Sequence, residues 1–220
     1  MASKNFKYLD DLIHSGAKEI VLDSDIVLGD GEESEDLFFN GIKLDVDGLI
    51  IDGNGHIIDG KEKARIFSCT GKNITIKNIT LKNGTHLSAI LNRGILTVIN
   101  SLFTNNMGYG GAIWNFEGAF LTIIDSTFAD NIAVRIGGGV YNCEGTLTII
   151  NSVFTGNYAN HVGGAVCNFR GMADITKSTF TDNSAGHHGE AIFCTKEGEV
   201  NLKDCTFKDN GFGDDCYGVK

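Results

Sequence analysis

Residues 111–131 read GAIWNFEGAFLTIIDSTFADN, residues 138–157 read GGVYNCEGTLTIINSVFTGN, and residues 164–183 read GAVCNFRGMADITKSTFTDN. These are three writings of one unit. A degraded copy, EAIFCTKEGEVNLKDCTFKDN, fills 190–210, and SAILNRGILTVINSLFTNN (88–106) is a copy without its glycines. ARIFSCTGKNITIKNITLKNG (64–84) is a more distant one. The phenylalanine of F-x-x-N stands at 103, 128, 154, 180 and 207, in steps of 25, 26, 26 and 27. Steps this regular mark a repeat architecture, and they are too short for a propeller blade of roughly 40 residues.

Within a unit, Leu147-Thr148-Ile149 and Val140-Tyr141-Asn142 alternate with period two and favour β-branched residues, as strands do. Gly-Gly, Glu-Gly and Asn-Ser punctuate them as turns. A helical period is missing inside the repeat, which excludes helical arrays. Without a hairpin signal, each strand pairs with its own copy one coil on, at a spacing of about 4.8 Å. The predicted fold is therefore all-β: a single-stranded right-handed parallel β-helix of about 7–8 coils, each of roughly 22–27 residues.

Stacking sets equivalent residues above one another. Ile66, Ile90, Ile113, Val140, Val166 and Ile192 form one expected aliphatic column, and the five phenylalanines form another. Asn92, Asn115, Asn142 and Asn168 predict an amide ladder, each side chain donating to the next. The earlier half is less regular. Glu19–Leu28 and Gly48–Asp59 read as two opening coils, and Leu9, Leu12 and Ile13 predict a short amphipathic helix over 5–15 that covers the first coil. The expected organisation is a cap over 1–18, the β-helix over 19–210, and a tail over 211–220. Unless that tail folds across the last coil, the open end predicts end-to-end self-association.

Of 220 residues, 28 are acidic and 18 basic, giving a formal charge of −10. No basic stripe offsets it, so nucleic acid is excluded as a partner. Mean hydropathy is close to zero and no apolar run is long enough for a membrane span. Glycine is frequent at 29 and proline is absent, which suits tight turns between ordered strands. The first residues do not read as a secretion signal. Two locations are open: the cell surface, as part of a longer exported protein, or the cytoplasm.

The paired signals Gly110-Gly111-Ala112-Ile113 with Phe128-Ala129-Asp130-Asn131, and Gly163-Gly164-Ala165-Val166 with Phe180-Thr181-Asp182-Asn183, resemble the repeats of chlamydial polymorphic membrane proteins. IDGNGHIIDG (51–60) ahead of NITIKNITLKNG (73–84) is more similar still to adhesin-like β-helix proteins of methanogenic archaea. The resemblance covers nearly the whole chain. It implies a non-catalytic adhesin-like module that presents a binding face to a glycan, a cell or a surface protein. Its motifs are specific for fold and weakly informative about ligand.

Two other function classes stay open: a purely structural, self-assembling solenoid, and a carbohydrate-active enzyme of the pectate-lyase-like superfold. Galacturonan hydrolases need clustered aspartates, and their motifs are missing; Gly53-Asn54-Gly55-His56 is a superficial echo. The best local chemistry lies in the turn before the glycines. Arg135, His161 and His187 share one column there, and His188 and Glu190 follow closely. Three imidazoles and a carboxylate are a set suited to zinc or acid–base work, against the simpler reading of exposed turns that tolerate polar residues. No motif implies a cofactor.

A second candidate is the strand position alternating away from the aliphatic column: Leu91, Trp114, Tyr141, Cys167 and Phe193, with Phe116 and Phe169 two residues beyond the column. Facing solvent, Trp114, Tyr141, Phe193, Phe116 and Phe169 would be an aromatic stripe for a sugar or partner; facing inward, they would be core. Glu144 and Arg170 should pair beside it. The acidic loop 30–36 reads as a solvated insertion, with calcium binding the sharper alternative. Asn73, Asn78 and Asn83 each begin an N-x-Thr sequon. None of the six cysteines stands directly above another and no C-x-x-C occurs, so mostly free thiols are expected.

Overall fold

The computed structural model describes residues 3–219. The chain winds as a parallel β-solenoid with three eight-stranded sheets and one four-stranded corner sheet. Sheet one runs from Glu19–Val21 to Glu199–Lys203, sheet two from Ile26–Val27 to Thr206–Lys208, and sheet three from Ile42–Leu44 to Cys216–Tyr217. The corner sheet, between sheets two and three, holds Met107–Gly108, Ile132–Ala133, Tyr158–Ala159 and Ser184–Ala185. Its strands are only two residues long, too short to show a period in the sequence.

Each coil is built from alternation and one forced bend. In Phe120–Ile124 the side chains of Leu121 and Ile123 are buried while Phe120, Thr122 and Ile124 point outward. The step from sheet one to sheet two needs a left-handed residue, supplied by Asn78, Asn100, Asp125, Asn151, Lys177 and Asp204 with φ between 46° and 55°. Asparagine and aspartate tolerate that region better than most residues. The serine that follows turns inward. Ser101, Ser126 and Ser152 each donate through Oγ to the carbonyl two residues back, and each backbone amide donates to the serine Oγ one coil on, at 3.1–3.2 Å. Cys205 repeats this with sulfur, donating to the Lys203 carbonyl.

The phenylalanine column is a stack. Successive ring centroids from Phe103 to Phe207 lie 4.6, 4.7, 5.1 and 5.1 Å apart, with planes within 12°. Each such pair contributes about 0.5–1.5 kcal/mol beyond its buried area. The predicted amide ladder is present as well: Asn92 donates to Asn115, Asn115 to Asn142, and Asn142 to Asn168, at 2.7–2.8 Å. Asn168 closes it on Cys194 Sγ at 3.5 Å.

A second interior ladder went unread in the sequence. The asparagines of F-x-x-N are fully or nearly buried, and Asn106, Asn131, Asn157, Asn183 and Asn210 donate in series at 2.9–3.0 Å. Each also donates to the carbonyl of a residue in the phenylalanine column one coil back. The signal was visible as a landmark at fixed spacing; its burial was not.

The aliphatic column differs from expectation at one place. Phe67, not Ile66, lies opposite Ile90 and Ile42. The amides of Ile66 and Phe67 both donate to the Ala89 carbonyl, as those of Ala165 and Val166 do to Ala191, so Ile66 holds the place of Ala165 and the column runs through Phe67.

Helix α1 spans Phe6–Ile13, capped by Asn5, whose side chain accepts the Tyr8 amide. Phe6, Leu9 and Ile13 are fully buried against the first coils. The acidic loop is not simply solvated. Glu32 is buried, and its carboxylate accepts the amides of Phe6, Lys7 and Gly29, fixing the start of the helix. At the other end, Glu190 accepts the amides of Ala185 and Gly213, and Asn210 donates to Asp215, which lays Cys216–Tyr217 beside Ile192–Phe193. No helix among the described residues is long and apolar enough to cross a membrane.

Candidate functional site

The outer face of sheet three carries the column Leu91, Trp114, Tyr141, Cys167 and Phe193 in the expected register. It points away from the central core, yet its middle is buried: Leu91 is 2% exposed, Tyr141 6% and Cys167 1%. A second layer of chain accounts for this. After the corner sheet the backbone folds back over sheet three before the glycines turn it inward. Ile136, Val162 and His188 pair in parallel as the outermost column of that layer. Gly137, Gly163 and Gly189 make the turn at φ of 64–67°, pressed against the carbonyls of Val140, Val166 and Ile192, where a Cβ would come within 2.5 Å. The sequence offered stripe or core, and the structure combines them: a roofed centre with half-buried aromatic residues around it.

The half-buried aromatic residues gather at Trp114. Tyr109 from the roof stacks on the indole at 5.5 Å and 17°, Tyr141 lies at 5.1 Å, and Phe116 at 5.8 Å. Two guanidinium groups flank the cluster. Arg93 lies over the Phe116 ring at 4.9 Å; Arg135 lies over Tyr109 at 5.4 Å and donates to its hydroxyl at 3.1 Å. Trp114 Nε1 is shielded and lacks a hydrogen-bond partner among the described residues, which costs about 1–3 kcal/mol. Phe169 sits two coils above Phe116 in the same column, under the Arg170 guanidinium at 5.0 Å. The Glu144–Arg170 pair forms at 3.7 Å, and both partners are exposed enough that it adds little. Phe193 is half-buried and stacks on Tyr217.

The polar candidates separate. His161 and His187 are exposed neighbours with ring centroids 5.3 Å apart, and the amide of His187 donates to the carbonyl of His161, as His161 does to Arg135. His188 instead stacks on Tyr217 at 4.5 Å, and Glu190 is turned inward to hold the tail. His161, His187, His188 and Glu190 therefore do not converge. Among the described residues no group of three or more His, Cys, Asp or Glu side chains gathers as a metal would require. His56 contacts Asp25 at 3.1 Å, tying two opening coils together.

Among the described residues none of the six cysteines is joined in a disulfide. Burial pushes Cys69 up to about 12, and burial followed by the neighbouring Cys194 and Cys143 raises Cys167 further, which holds both as unreactive thiols. Of the sequon asparagines, Asn78 and Asn83 donate to Asp52 and Asp59 at 3.0 and 2.9 Å.

A groove of about 720 Å³ follows the bend between sheets one and two, a feature the sequence reading did not find. Asp52, Asn78, Asn100 and Asp125 line it from successive coils, with Thr80, Thr127 and Leu102 on its sheet-two side. Asn78, Asn100 and Asp125 are left-handed bend residues, recognisable in the sequence as Asn or Asp at the repeat period.

No family model matches the chain, and no curated protein matches it. Among solved structures the chain is similar to the Streptococcus pneumoniae surface protein and adhesin PfbA, at 13% identity over 92% of this chain and 88% of that chain, with a TM-score of 0.44. The residues of this chain alone therefore carry its functional reading.

Proposed function

We propose that the protein is a non-catalytic, adhesin-like binding module of the extracellular surface. Its outer sheet-three face docks a glycan on a cell or protein partner. The observation that supports this is the Trp114 cluster. The half-buried rings of Tyr109, Trp114 and Phe116 meet buried Tyr141 on neighbouring coils, with Arg93 and Arg135 at the edges. Rings with exposed faces stack on the C–H faces of sugars, and flanking guanidinium groups donate to hydroxyls or carboxylates. On a molecule of charge −10, paired arginines beside aromatics are a local exception that suits recognition.

A glycan array followed by titration tests the reading. Binding should fall at least about tenfold in Trp114→Ala, and less in Arg93→Ala, with the fold retained by circular dichroism. Release of reducing sugar from a bound polysaccharide would sink the non-catalytic reading. Unchanged affinity in Trp114→Ala would move binding away from this face.

A further inference from the structure

The groove along the bend between sheets one and two holds an external ladder whose polarity is broken inside the groove. Asn78 Nδ2 donates to Asp52 Oδ1 at 3.0 Å, and Asn100 Nδ2 donates to Asn78 Oδ1 at 2.8 Å. Asn151 Nδ2 likewise donates to Asp125 Oδ1. Each donor thus serves the coil before it. Between Asn100 and Asp125 the rule fails, because an aspartate carboxylate has no N–H to give. The Asn100 amide oxygen and the second oxygen of Asp125 stand on adjacent coils, about 4.8 Å apart along the axis, as two acceptors without a donor among the described residues. The next break lies outside the groove, at Lys177, which is itself a donor.

We infer that this groove is a second binding site, for a neutral oligosaccharide laid along the solenoid axis, with a vicinal diol donating one hydroxyl to Asn100 Oδ1 and the other to Asp125. The groove volume lies within the range of small-molecule sites. Thr80 and Thr127 supply hydroxyls that both donate and accept, and half-buried Leu102 offers apolar surface for ring C–H groups. The charge selects against acidic sugars. Asp52 is offset by Lys77 at 3.3 Å, but among the described residues Asp125 is met by the Asn151 amide and by no cation, so the groove keeps a negative charge where the ligand would sit.

Titration of the ¹⁵N-labelled full chain with cellohexaose and mannohexaose, followed through side-chain amide signals, tests this. Either sugar should shift the Asn78 and Asn100 amides and the backbone amides of Thr80 and Thr127. Permethylated cellohexaose, which lacks hydroxyl donors, should not. In Asp125→Asn the new amide donates to Asn100 and completes the ladder, so the fold stays intact while affinity drops about tenfold or more. Thr127→Val should weaken binding by a smaller factor. The site is overturned if neither sugar shifts the groove amides at about 10 mM, if Asp125→Asn binds unchanged, or if hexagalacturonate binds better than the neutral sugars. Shifts confined to the Trp114 indole also overturn it while leaving the sheet-three reading standing. Shifts confined to the groove support it and count against the sheet-three face.

Discussion

The coils before residue 88 and those after it solve the same packing problem with different chemistry. In the later coils one side chain is repeated at each place: phenylalanine on phenylalanine, asparagine on asparagine, serine on serine. In the earlier coils the phenylalanine column holds Ile26, Ile58 and Leu81, and the place of Asn92 holds Leu44 and Cys69. The place of Asn106 falls to Gly84, whose amide donates to Asn106 Oδ1 just as Asn106 donates to Asn131. Aliphatic contacts are non-directional and accept coils of unequal length. Ladders are directional, and they accept only a partner at the matching height. The comparison teaches that the strict period near 26 comes from the hydrogen-bonded ladders more than from the core.

The comparison breaks most sharply at Asn157. Its amide donates to Phe128 and Asn183 and accepts from the amide and side chain of Asn131. Asn157→Ala leaves several buried groups unpaired, and urea unfolding should show a loss of about 3–5 kcal/mol. Leu81→Ala, in the earlier coils, removes only apolar contact and should cost about 2–4 kcal/mol. A cost at Asn157 well below that of Leu81 would mean that the ladders do not set the stability of the later half.

The same comparison is sharpened by a gain. Cys194 closes the first ladder through sulfur at 3.5 Å, a weaker acceptor than an amide oxygen. Cys194→Asn supplies that oxygen and should raise the unfolding free energy by about 0.5–1.5 kcal/mol, read from the shift in urea midpoint.

The smallest effect belongs to the helix that covers the earlier coils. Burial works against the protonated form of His14, but the Asp10 carbonyl and the Asp45 carboxylate prevail and hold its pKa above 6.5. A raised pKa in the folded state means that protonated His14 stabilises fully below about pH 6.5, and that this is lost as pH rises through the raised value. Hydrogen exchange of α1 should therefore differ between the native chain and His14→Gln near pH 6 and converge by about pH 8.

The architecture was legible because the ladders write themselves into the sequence as fixed-interval Asn and Phe. The register of Trp114, Tyr141 and Cys167 followed from the same count. Two things did not. Burial of Tyr141 comes from the fold-back through Ile136 and Val162, a tertiary cover that strand alternation cannot announce. The parting of Glu190 from His161 and His187 comes from amide donors at Ala185 and Gly213, and only coordinates show where a carboxylate finds its donors. Columns predict height along the axis well; they say little about which way a turn residue points.

Partners in every interior and exterior ladder are 22 to 27 residues apart and always on adjacent coils. For an all-β chain this is short-range wiring, and folding speed falls as contacts become more distant in sequence. Order that nucleates on any pair of matching coils between Ile113 and Asn183 can then grow in both directions, each added coil finding a finished template of donors and rings.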